Sequence, residues 1–387
     1  MNKWIGLNRD NLRILFLFLL WKIGLILILV LSIIFIPLAY KDRFLGGGSI
    51  LFKLSPVLFS WANFDGEHYL SIAIYGYKNL EQAFFPVFPF LISFFAKPFS
   101  DTILSSLVNY TIIGLIISNS SFLLATYYLF ELIKIDYSKK IAFLTIILLI
   151  SFPTSFYFGS LYNEPLFLLL SVLTFLNARK GKWFLASIFG LIASGTRVFG
   201  ILLFPAILIE AYQKKEKFNR AFWIFLIPFG LILYMWYQYI SVGDPLAFYH
   251  LQKNVGEQHQ AGIILPPQIF YRYTKMLLSF NGFKPIYQTI VLEFFAGIVF
   301  LILPIYGYFK KVRLSYLTYS LLGFLLPTIQ GSFSSLPRYV LILFPSFLIL
   351  ALWFEKIPKK LKIILILCSI FLLAIEASLF FRVYWVA

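Results

Sequence analysis

From Leu12 to the C-terminus, apolar runs of 20 or more residues recur along the chain, and this limits its fold more than any other feature. As a helix, each run is long enough to cross about 30 Å of hydrocarbon. No water reaches backbone polar groups in that layer, so the runs must close their own hydrogen bonds as helices. Composition agrees: 60% of the 387 residues are hydrophobic, 13% are charged, and the mean hydropathy is +0.86. A soluble domain carries about 25% charged residues. The first run follows Lys3, Arg9 and Arg13 and reaches about Ala39. That is too long for a signal-peptide core, and no small-residue cleavage site follows it, so it reads as a helix of the mature protein. The expected fold is an all-α polytopic membrane protein, one membrane-embedded domain over residues 1–387.

Net charge is +17, from 33 Lys and Arg against 16 Asp and Glu. In a soluble chain this would suggest nucleic acid. Here the basic residues lie in short gaps between apolar runs, where anionic membrane lipids are the partner and nucleic acid is not. Six gaps stand out: 1–13, 131–140, 179–182, 213–220, 310–313 and 355–362, which hold 20 Lys and Arg in 47 residues. Two long polar stretches, 40–82 and 242–285, are less basic for their length. Short Lys/Arg-rich loops stay in the cytoplasm, so all six gaps are placed inside.

Parity then orders the crossings. Helix 12–38 runs outward to a large first outer loop, 40–102. Crossings 103–130, 141–160 and 164–178 follow. The stretch 183–212 begins and ends at basic gaps, so it crosses twice as two short helices meeting near Gly195-Thr196-Arg197. Helix 221–240 leads to the second large outer loop, 242–285, and 287–309, 314–330, 337–354 and 361–384 complete about eleven crossings. Residues 84–99 are apolar enough to span but contain Pro86, Pro89 and Pro98, each lacking a backbone donor. They are expected to be interfacial or re-entrant. Gly46-Gly47-Gly48 reads as a flexible joint, since no lysine and helix start follow it. Cys368 is the single cysteine, so no intrachain disulfide can form.

This topology gathers polar residues on the non-cytoplasmic side. Asp65, Glu67 and His68 lie in the first outer loop, within Trp61-Ala62-Asn63-Phe64-Asp65-Gly66-Glu67-His68-Tyr69. Asn163 and Glu164 start a helix, with Pro165 where its missing N–H costs nothing. Arg197 tips the short hairpin, Asp244, His250, Glu257 and His259 fall in the second loop, and Arg338 opens an inward helix. Ionisable groups at membrane depth are costly and usually functional. Together they suit a charged, membrane-borne substrate. A carboxylate can take a proton from an acceptor hydroxyl. Arginine's planar fork can neutralise a departing phosphate. Aromatic residues such as Trp61 and Tyr69 can form a platform, and they also suit an ordinary interfacial belt. The three histidines share no ligand spacing on one element.

The run from Trp61 to Tyr69, then Gly76-Tyr77 and Ala83-Phe84-Phe85-Pro86-Val87-Phe88-Pro89, resembles the first luminal loop of PIG-V-type mannosyltransferases. Tyr162-Asn163-Glu164-Pro165, Thr196-Arg197-Val198-Phe199-Gly200, Gly243-Asp244-Pro245 and Pro337-Arg338-Tyr339 are similar to later features of that family. The resemblance implies a GT-C-like bundle and an inverting hexosyltransferase. Its donor would be a polyprenyl- or dolichyl-phosphate sugar, often mannose, and its acceptor a lipid or protein hydroxyl. It implies Asp65 as the catalytic acid/base and Glu164 as a second acidic residue, with Glu67 beside them. Trp61, His68, Tyr69, Asn163, Arg197 and Arg338 are the expected substrate contacts. No cofactor is fixed by these residues. Asp65-Gly66-Glu67 resembles the metal-binding acidic pair of other GT-C proteins, so a divalent cation (Mg or Mn) at Asp65 and Glu67 stays open. The membrane would be the cell membrane of a prokaryote or the endoplasmic reticulum of a eukaryote. Two other readings are a polar-lipid transporter or flippase, for which no inverted repeat is visible, and a non-catalytic partner of another transferase.

Overall fold

The computed structural model describes residues 9–39, 49–78, 80–251, 264–279, 285–329 and 331–386. The Gly46-Gly47-Gly48 joint, Glu257 and His259 lie outside the described residues. Every regular element among the described residues is helical. Helix α1 (Arg9–Phe35) leads to a first loop built of α2 (Ser49–Leu54), α3 (Pro56–Phe59), α4 (Asp65–Tyr75) and α5 (Val87–Ala96). Then come α6 (Ile103–Ile133), α7 (Lys139–Ile150), α8 (Glu164–Arg179), α9 (Trp183–Thr196) and α10 (Leu203–Gln213). Helices α11 (Phe218–Ala221) and α12 (Phe229–Val242) precede a second loop bearing α13 (Ala247–His250) and α14 (Pro266–Leu278). The chain closes with α15 (Pro285–Phe309), α16 (Leu314–Thr328), α17 (Leu336–Tyr339), α18 (Phe344–Lys356) and α19 (Lys359–Phe381).

Among the described residues, five helical segments are long and apolar enough to cross a membrane: α1, α6, residues 218–242, residues 286–309 and α19. A sixth is formed if residues 336–342 and 344–356, bent by 89°, make one broken span. Helices stand at all the positions expected of crossings, but several are short. Where 141–160 was expected to be one helix, α7 stops at Ile150. Pro153 has no N–H to continue it, and the chain turns through a 3-10 segment, 155–159, buried in protein. Irregular backbone at such depth is tolerated where protein surrounds it. The hairpin expected within 183–212 is α9, a 3-10 turn at 198–202, and α10. Residues 87–99 form a short apolar helix, not one of the five spans. Pro89 fits there because it lies in the first turn, whose N–H groups have no helical partner.

One connected body of buried apolar side chains runs from Ile14 to Val386. Within it α6 packs along α8, α8 along α9, and α1 along α19. The basic gaps meet at one end of this body. Asp10 pairs with Lys139, Lys140 with Glu355, Arg179 with Asp136, and Glu210 with both Arg179 and Arg313. Lys214 Nζ donates to the carbonyls of Ala178 and Arg179. Helix α8 has Arg179 at this end and Glu164 at the other. Its 16 residues separate the two by about 22 Å at 1.5 Å per residue.

Candidate active site

Four segments far apart in sequence meet at the Glu164 end. Arg338 Nη1 donates to Asp65 Oδ2 at 2.5 Å, and its Nε lies 3.7 Å from Glu164 Oε1. The same Glu164 oxygen is 2.7 Å from Arg197 Nη1, which also donates to Asn163 Oδ1 at 2.5 Å. The order is therefore Asp65–Arg338–Glu164–Arg197–Asn163, two carboxylates alternating with two guanidinium groups. Side-chain exposure is 1% for Glu164 and about 10% for either arginine, but 30% for Asp65. Asp65 is the most accessible of the four charged groups.

Local backbone explains how each group arrives there. Asn63 Nδ2 donates to the carbonyls of Ser60 and Phe380, and Tyr162 O–H donates to Asn63 O at 2.9 Å. This ties the start of the first loop to α19 and to the α7–α8 hairpin. Phe64, between Asn63 and Asp65, has φ 57° and ψ −116°, a region that non-glycine residues rarely enter. Such strain, of order 1–3 kcal/mol, persists where surroundings over-determine it and tends to collect at functional sites. It turns the chain so that Asp65 opens α4. Asn163 Nδ2 donates to Thr196 O, joining the start of α8 to the end of α9. A Cβ at Gly200 would lie 2.3 Å from Ser194 Cα, so only glycine lets the turn after Arg197 close on α9. Thr154 Oγ1 donates to Pro337 O at 2.7 Å and fixes α17, which presents Arg338.

Aromatic rings wall the ionic chain. The Arg338 guanidinium lies 5.1–5.8 Å from the rings of Tyr157, Tyr162 and Tyr339, and Arg197 lies 5.7–5.8 Å from Phe199 and Tyr339. Cation–π contacts of this kind hold a guanidinium without using its N–H groups. Tyr69 is buried edge-on to Phe84, Phe88 and Tyr162. His68 stacks on Phe84 at 4.7 Å and sits 3.9 Å from Glu81. Trp61 lies deeper, against Phe381 and under Lys22 Nζ, packed in the core and outside the chain of charges. Glu67 is on the first turn of α4, half-buried. Asp244 and His250 pair with one another at 2.7 Å on the surface. Among the described residues no three His, Cys, Asp or Glu side chains come together as metal ligands. Asp65 takes its counter-charge from Arg338.

A family profile, Mannosyltransferase (PIG-V), matches residues 11–243, more than half of the chain and every segment of the site except that of Arg338. The chain belongs to the PIG-V mannosyltransferase family. It is a transmembrane glycosyltransferase by that membership and by its long apolar helices. No curated protein matches the chain. In this PIG-V member the matched region supplies Asp65, Asn163, Glu164 and Arg197, and Arg338 reaches them from the unmatched C-terminal part.

The Gly-Tyr and Ala-Phe-Phe-Pro blocks serve a different purpose from contact with the charges. Gly76 at φ 77° ends α4, and Tyr77 O–H donates to Phe84 O at 2.7 Å. Tyr234 and Gln238 of α12 donate to Gln82 O, and Tyr234 also to Phe84 O. Sequence reading missed Tyr234 and Gln238, because two polar residues in an apolar helix give no hint of their partner. It also missed Glu293 and Glu210, for which a signal existed: each is an acidic residue inside a long apolar stretch.

Proposed function

We propose that this chain transfers a hexose, mannose by its family, from a polyprenyl-phosphate donor to a lipid or protein hydroxyl on the non-cytoplasmic face. The observation behind this reading is the single ion chain of Asp65, Arg338, Glu164 and Arg197, at the end of the bundle opposite the basic gaps. Short basic loops stay inside, so that end faces outward. The same reasoning makes the shorter helices crossings of a GT-C-like bundle of about eleven.

In this scheme Asp65, the more accessible acid, accepts the proton of the acceptor hydroxyl, a contribution of about 10²–10⁴-fold. The hydroxyl oxygen forms the new bond to the sugar C1 as the bond from C1 to the phosphate oxygen breaks, with inversion. The electron pair leaves on polyprenyl phosphate, and Arg338 and Arg197 supply fixed positive charge for it. Glu164 holds both guanidinium planes, and with Asp65 it keeps the resting centre neutral. Tyr69, His68 and Asn163 line the approach. No step passes through a metal ion.

Purified chain in proteoliposomes, given a panel of polyprenyl-phosphate sugars and lipid or peptide acceptors, tests the reading by product mass, with and without chelator. Expected is a hexose-bearing product from one donor, formed equally well in chelator. Absence of product with every donor would sink the assignment, and product lost on chelation would put a metal at Asp65 and Glu67.

A further inference from the structure

One buried carboxylate near the centre has no part in this scheme. Glu293 lies in α15, inside an apolar segment long enough to span, and is 4% exposed. A carboxylate there must be held by hydrogen bonds. Tyr273 O–H, from α14 in the second loop, donates to Oε2 at 2.6 Å, and the backbone N–H of Ser335 donates to Oε1 at 2.9 Å.

Ser335 is the N-cap of α17 and stands three residues before Arg338, with φ 58° and ψ 12°. The left-handed region is unfavourable for serine, so its neighbours must impose it. Helix α17 has only four residues and cannot hold its own direction. The connector before it is pinned along its length by the second loop. Ile264 N–H donates to Ile329 O at 3.0 Å, Arg272 Nη1 to Gly331 O at 3.2 Å, and Tyr273 Oη lies 3.3 Å from Ser332 Oγ. The direction in which Arg338 leaves the backbone is therefore set from the Glu293 side as well as by Thr154.

We propose that Glu293 is a positioning residue: its two oxygens tie the Ser335 amide to Tyr273, so that α17 delivers Arg338 between Asp65 and Glu164. The second outer loop thereby governs the arginine that serves the departing phosphate. The activity part rests on the transferase reading above; the structural part does not. Glu293 acts here as an acceptor, so an amide oxygen can replace it. In Glu293→Gln the amide keeps an oxygen for the Ser335 N–H and can donate to the Tyr273 hydroxyl.

The full chain in proteoliposomes gives two readouts: turnover of a polyprenyl-phosphate sugar, and backbone hydrogen exchange over 331–340 without substrate. Glu293→Ala is expected to raise exchange there and to lower turnover about 10²-fold, the scale of a misplaced catalytic group. Glu293→Gln is expected to restore both. In an Arg338→Ala background Glu293→Ala is expected to add little, because the two act through one group. Unchanged exchange in Glu293→Ala, a Glu293→Gln variant as damaged as Glu293→Ala, or an equal loss with and without Arg338 would overturn the proposal. Should Glu293→Ala not fold, Tyr273→Phe gives the same test with smaller expected effects, and no change in either readout counts against it. A wild-type chain that transfers nothing would defeat the transferase reading alone, and the exchange measurement would still decide the hold of Glu293 on α17.

Discussion

The two ends of the bundle each bury acids against arginines, and they are finished differently. At the basic end Glu210 is fully buried and its oxygens are taken up. Arg313 Nη2 and Nε donate to Oε1 and Oε2 at 2.8 and 3.1 Å, Ser315 Oγ donates to Oε2 at 2.6 Å, and Arg179 Nε lies 3.2 Å from Oε1. Arg179 also forms a forked pair with Asp136. At the other end Glu164 is as deeply buried, yet neither oxygen has a well-formed hydrogen bond, only ionic neighbours at 2.7 and 3.7 Å. Arg338 Nε is likewise without one. Folding normally satisfies buried polar groups. A network closed on itself fastens helices together, whereas one with spare donors and acceptors beside a half-buried acid leaves hydrogen-bonding capacity that the fold does not use. The difference separates an end whose ions are closed on one another from an end whose acid and arginine keep unused hydrogen-bonding groups.

The sharpest way to break this contrast is Asp65→Asn. Transfer is expected to fall by about 10²–10⁴-fold, with the thermal unfolding midpoint in detergent unchanged. A variant that kept its turnover and lost stability would make the two ends alike. Glu210→Ala is expected to do the reverse. Two arginines left beside an empty place cost about 3–5 kcal/mol, read as a lowered unfolding midpoint, while turnover per folded molecule holds. Gly200→Ala tests the hairpin between them. The new methyl meets the backbone of Ser194, which cannot step aside, and about 1–3 kcal/mol of stability is expected to go.

The smallest effect concerns pH at the rim of the site. Burial alone would lower the His68 pKa, but the Glu81 carboxylate 3.9 Å away and the charges of Asp65 and Glu67 outweigh this and raise it above the ordinary imidazole value. Burial pushes Glu81 up, and the nearby His68 together with the hydrogen bond from the Lys78 amide brings it below the usual carboxylate value. A raised histidine stabilises the fold below its unfolded pKa and loses that as pH rises through its folded pKa. A depressed carboxylate stabilises above its unfolded value and loses that as pH falls through its folded one. The loop from α4 to α5 is thus expected to be best held between these limits, from mildly acidic pH to somewhat above the ordinary histidine pKa. Limited proteolysis of the 76–86 segment across pH would show cleavage rising on the alkaline side in wild type. His68→Gln is expected to flatten that rise, and an unaltered profile would count against the pair.

Much of this was readable from residue order because the membrane punishes exceptions. Apolar runs, short basic gaps and the proline-rich 84–99 stretch gave helices close to their expected places, and the Trp61–Tyr69 block marked the loop that bears Asp65. Less was readable where two signals compete. The stretch 141–160 is apolar enough for one crossing, yet Pro153 ends the helix and the remainder becomes a buried 3-10 turn. Trp61, expected to touch substrate, packs against Phe381, since an aromatic ring suits a core and a platform equally.

The sequence by itself determined that this chain lives in a membrane, where its helices fall, and which residues are costly enough at that depth to need a purpose. Hydropathy and charge act locally, so a linear reading captures them. Only the tertiary structure decided that Asp65 answers to Arg338, 273 positions away. It also decided that Glu164 stands between two arginines and that Glu293 steers the turn before one of them. Partnerships of this kind depend on how helices cross and where their ends point. Side-chain packing over the whole bundle sets those angles, and no short stretch of residues encodes them.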